Sequence, residues 1–145
     1  MTIRIVALAA FFGAAIAAQA NAAQVIHAGD WETTMDGGPA HHTCMSTDHA
    51  LDQATINKTL ASAGLKCAPV DWHQAGNATT YVSVCDVAGG KLTTNSVMTT
   101  TGPDSYTTHS KSHLVGGQMK MPDMDMTQTA RRDGPCTPGE KPSKF

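Results

Sequence analysis

The chain has 145 residues, a formal net charge of −2 and a pI near 6.3. That length suits one domain and leaves no room for a large two-domain enzyme. With 15 % charged residues and no basic excess, it has no electrostatic handle for nucleic acid or an anionic membrane.

Residues 1–22 read as a secretory signal peptide. Arg4 supplies the positive start, Ile5 to Ala18 the apolar stretch, and Ala20-Asn21-Ala22 a small-x-small cleavage site. The apolar run is shorter than the roughly 20 residues that span a bilayer. The expected product starts at Ala23, has no membrane anchor and resides in the periplasm. It forms one domain over 23–136, followed by a flexible tail over 137–145. Without the leader, the chain keeps two Trp, two Tyr and a single Phe, Phe145. So thin a core calls for covalent support.

Asp30 to Met35 alternates like a first strand, and Asp36-Gly37-Gly38-Pro39 is a turn. His41 to Met45 forms a second strand. Ser46 or Thr47 then caps a helix over about 47–63, with Asp48 in its first turn and Gly64 just past its end. Ala75-Gly76-Asn77 sits between two strand-like runs and predicts a hairpin. Leu92 to Thr100 and Tyr106 to Leu114 are Thr-rich and β-branched, hence strands, joined by a Gly102-Pro103-Asp104 turn. Val115-Gly116-Gly117 breaks the chain, and Met124 to Arg132 is a last strand. The expected fold is mainly β: an antiparallel meander, as a curved sheet or small barrel, with one helix.

Cys44, Cys67, Cys85 and Cys136 all follow the leader. An even count in an oxidising compartment implies two disulfides, and the absence of any C-x-x-C spacing argues against zinc. With the hairpin tip at Gly76, Val70 and Trp72 face Val82 and Thr80, and the same register sets Cys67 opposite Cys85. Cys67–Cys85 is therefore the expected pair. Cys44–Cys136 remains, closing a long loop whose entropy is worth on the order of 4 kcal/mol.

Gly29-Asp30-Trp31-Glu32, Cys44 before a polar helix, Cys67 and Cys85 about a hairpin, and Arg132-Asp133-Gly134-Pro135-Cys136 occur in an ordered series. With Gly102-Pro103-Asp104-Ser105-Tyr106, this series resembles domain-of-unknown-function family 3617, small exported proteobacterial proteins. The family pattern has Pro where this chain has Ala28, and an apolar residue where it has Asp30. The resemblance implies periplasmic residence and an uncharacterised role, and carries over no catalytic residue.

Three functional readings follow. The first is a non-enzymatic binding or structural module without a resident cofactor. No Gly-x-Ser-x-Gly, His-Glu-x-x-His or phosphate-loop pattern occurs, and Asp104, Ser105 and His109 read as turn chemistry rather than a dyad. The second is a soft metal ion held by Met119, Met121, Met124 and Met126, since thioethers suit Cu(I). Against it, methionine also fills cores adaptably. His109 and His113 lie roughly 13 Å apart at strand rise, too far to share an ion. The third is a carrier of a small apolar ligand in a barrel interior, with Trp31, Trp72 and Tyr81 near its mouth.

Overall fold

A computed structural model describes residues 24–118 and 120–139, so the expected leader, Met119 and the end of the expected tail lie outside the described residues. In chain order the elements are β1 (Gln24–Ile26), β2 (Gly29–Met35), β3 (His41–Met45), β4 (His49–Leu51) and α1 (Gln53–Ser62). They continue with β5 (Lys66–Cys67), β6 (Asp71–Ala75), β7 (Ala78–Val87), β8 (Gly90–Thr100), β9 (Ser105–Gly116) and β10 (Met124–Gly134).

Eight strands form one antiparallel sheet in the order β3-β2-β10-β9-β8-β7-β5, with β6 also paired to β7. β1 and β4 form a separate two-stranded ribbon. The sheet is open, so the expected small barrel, and with it a barrel interior, gives way to the curved-sheet alternative. β10 lies between β2 and β9, with the early strands to one side and the central meander to the other.

All four cysteines are bonded, as Cys44–Cys136 and Cys67–Cys85. The expected pairing therefore holds, and Cys67 stands opposite Cys85. At the hairpin tip the expected register is wrong by one residue: Trp72 faces Tyr81, not Thr80, and Asp71 rather than Val70 faces Val82. Gly76, at φ +60°, and Asn77 form a two-residue turn between Ala75 and Ala78, and that turn sets the tip. Nearer the disulfide, Ala68, Pro69 and Val70 oppose only Ser83 and Val84. Pro69 has no N–H for the ladder. Val70 turns inward to 1 % exposure, donating its N–H to Asn57 Oδ1 and accepting from Gln53 Nε2.

The helix is shorter than expected. Its N-cap is Asp52, whose carboxylate accepts from the Thr55 N–H at 2.7 Å. Residues 49–51, expected to be helical, are extended because β1 pairs with them and Leu51 is buried. Asp48 accepts from Ala28 N–H at 2.7 Å and pairs with His27 at 3.1 Å, so it secures the corner before β2 rather than a helix terminus. Gly64, at φ +77°, does follow the helix end.

Candidate functional site

Pairing register divides the sheet into two faces, because successive side chains alternate. One face carries Trp31, Thr79, Ser83, Cys85, Ser96, Met98, Thr108, Ser112 and Ala130, all buried. The ribbon lies against this face: Gln24 of β1 donates to Gly76 O and Thr100 Oγ1 and accepts from Thr79 Oγ1, at 3.2–3.3 Å. No residue of α1 is buried, so the helix is a thin cover.

Between cover and sheet is a half-open cavity of about 160 Å³. Ile26 lines it from β1, Met45 from β3, and His49, Ala50 and Leu51 from β4. Thr55, Ile56 and Thr59 contribute from α1, Met98 from β8 and Tyr106 from β9. The wall is predominantly aliphatic and thioether, with polar side chains from His49, Thr55, Thr59 and Tyr106. Burial, and then the neighbouring Tyr81, hold the Tyr106 phenol above its ordinary pKa, so it is a neutral hydroxyl. A wider recess of about 720 Å³ at Ala88, Gly89, Gly117 and Gln118 is an open notch between turns, with no ionisable side chain among its described lining residues.

Hydroxyls pave the same face beyond the cavity. Thr94 bonds Ser112 and Ser96 bonds Ser110, each at 2.9 Å across β8 and β9. Thr108, opposite Met98, has a buried Oγ1 with no hydrogen-bond partner among the described residues.

The motif residues occupy one end of the sheet. Trp31 is 1 % exposed and donates its indole N–H to His27 O at 2.9 Å. Arg132, opposite Trp31, donates through Nε to Asp104 of the 102–104 turn at 2.6 Å. Cys136 returns to Cys44 on β3. A family model described as "Protein of unknown function (DUF3617)" matches residues 26–136. The chain belongs to the DUF3617 family. No curated protein and no solved structure matches it.

In this DUF3617 chain, Met124 and Met126 sit on the hydroxyl-bearing face, opposite Ser112 and Ser110. Met121 is half-buried in the preceding segment, and Met119 lies outside the described residues. His109 contacts Thr127 Oγ1 at 3.0 Å and His113 pairs with Asp123, so the two imidazoles have separate partners. Asp104 is engaged by Arg132, and Ser105 bonds Thr101, which disperses the imagined dyad. Trp72 and Tyr81 stack with centroids 6.0 Å apart, while Trp31 packs in the core, so none of these three expected aromatics lines the cavity.

Sequence reading missed most of the cavity wall. Ile26 adjoins the leader, and Met45, Met98 and Tyr106 converge only through strand pairing. It also missed a second grouping. Asp30, His42 and Asp133, from β2, β3 and β10, bring one ligand-type atom each within 4.8 Å of one another. The register shift between Arg132 and Gly134 places Asp133 here. Their donor chemistry is that of a divalent cation site, but Arg131 already donates to Asp133 at 3.0 Å.

Proposed function

We propose that this chain is an exported, non-enzymatic binding module of the periplasm that holds a small apolar group beneath α1. The cavity of about 160 Å³ carries the reading. An apolar recess with a few convergent polar groups is the usual form of a small-molecule site. In volume it matches a single ring or a short chain, since about 150 Å³ is enough to hold benzene.

Export is supported by the apolar leader and by two disulfides that use every cysteine. Among the described residues, no helix is long and apolar enough to cross a membrane. The non-enzymatic part is supported by the dispersal of Asp104, Ser105 and His109 among other partners.

The test is native mass spectrometry of the protein taken from a periplasmic fraction, with N-terminal sequencing of the same sample. The expected result is a chain starting at Ala23 with an additional small apolar mass, lost when Met98→Trp fills the cavity. Recovery only from the cytoplasm with residues 1–22 attached defeats export. A clean ligand-free mass, with no uptake of benzene or phenol on titration, defeats binding.

A further inference from the structure

We propose that the cavity's ligand is an amphiphile, an apolar ring or short chain bearing one hydroxyl-type group, and that Thr108 receives that group. This rests on the cavity being a binding site and adds the chemical class of the occupant.

A buried hydroxyl requires a hydrogen-bond partner. Removed from water without a partner, it is costly, and native structures rarely leave one so. On this face Thr94, Ser96, Ser110 and Ser112 satisfy one another in pairs, and Thr79 is bonded to Gln24. Thr108 is 6 % exposed, and its Oγ1 is the one buried side-chain polar atom among the described residues without a partner.

Its position is specific. Met98 faces it across the strands, and Tyr106 precedes it by two residues on the same face. Both line the cavity. Thr108 does not itself line the cavity but adjoins two residues that do, and Met98, an unbranched thioether, is the adaptable one of them. A group seated between Met98 and Tyr106 brings its polar atom to Thr108 by displacing the end of the Met98 side chain. The threonine hydroxyl both donates and accepts, so it pairs with an alcohol or a phenol. Valine has the same shape and would suit a purely apolar ligand.

The experiment titrates the disulfide-intact protein, from Ala23 onward, with benzene and with phenol, following methyl and amide NMR shifts. Leaving water disfavours phenol relative to benzene unless its hydroxyl finds a partner inside. The expected result is phenol binding about tenfold tighter than benzene, the scale of one hydrogen bond. In Thr108→Val that preference disappears while benzene binding is unchanged. In Thr108→Ser, which keeps the hydroxyl, the preference persists. Equal binding of both probes to the wild type, or a phenol preference that survives in Thr108→Val, overturns the inference and leaves the cavity reading standing. Failure of both probes to bind overturns the two together.

Discussion

Trp31 and Tyr106 meet across an intervening strand, their ring centroids 5.6 Å apart and tilted by 39°. β10 runs between them and presents Ala130, opposite Tyr106, with 4 % exposure. A side chain as small as alanine lets the two rings close over the strand. A chain with so few aromatics thus concentrates two of them at one contact beside the cavity.

Enlarging that spacer should be costly. Ala130→Leu is expected to destabilise the fold by about 1–3 kcal/mol, the range for overpacking a filled core. Trp31→Ala, which empties the same place, should cost about 3–5 kcal/mol. Urea unfolding at fixed disulfide state measures both, and an unchanged midpoint for Ala130→Leu would refute the close packing described.

The two disulfides should contribute unequally. Cys44 and Cys136 are 92 residues apart in sequence, Cys67 and Cys85 only 18. Loop-closure entropy assigns them about 4–5 and about 3 kcal/mol. Paired alanine substitutions of each bridge, compared by denaturant unfolding, should show the larger loss for Cys44/Cys136.

The helix cap gives a pH-dependent prediction. The Thr55 backbone N–H holds the Asp52 carboxyl below its ordinary pKa. A lowered folded value stabilises fully above the unfolded value, about 3.9, and is lost as pH falls through the folded value. Asp52→Ala should therefore cost about 1 kcal/mol at neutral pH. The gap from wild type should shrink on acidification below pH of about 4. A gap that stays constant into acid would mean the carboxylate is not the cap.

At the alkaline end the sign reverses. Burial raises the Tyr106 pKa, so the unfolded chain loses this proton first, near pH of about 10. Above that pH the folded state loses stability. Tyr106→Phe should flatten this decline relative to wild type in thermal melts across the range. Parallel curves would show that another group governs alkaline unfolding.

Thr108→Val should make the ligand-free protein more stable, by up to about 1–3 kcal/mol, because it removes a buried hydroxyl without a partner. A loss in thermal or denaturant stability would show that the hydroxyl is satisfied in solution.

Local signals carried most of the architecture. The Asp30–Met35 alternation, the Gly76-Asn77 turn and the Thr-rich runs match β2, the β6–β7 hairpin, β8 and β9 because each depends on neighbours in sequence. The Cys67–Cys85 pair was legible for the same reason, since the turn lies only a few residues away. What was hidden depends on distant partners. Residues 49–51 have helical neighbours, yet Gln24–Ile26 draws them into a ribbon, and Asp48 turns from a helix start to the Ala28 corner. The hairpin tip was misjudged by one residue because both Gly76 and Asn77 lie in the turn, and the extra residue among Ala68, Pro69 and Val70 restores the Cys67–Cys85 pairing. The cavity was least legible, because Met45, Met98 and Tyr106 adjoin only once β2, β10 and β9 are in order.

That order has a consequence for how the molecule is born. β2 has β10 as its neighbour, and Thr34 bonds Thr129 at 2.6 Å across 95 residues of chain. A ribosome delivers β2 and β3 long before β10 exists, so the early hairpin must wait with an open edge. Contacts this remote in sequence form late and slowly. A polypeptide cut short before residue 124 would therefore lose the strand that joins its two halves, and its exposed edges would invite aggregation.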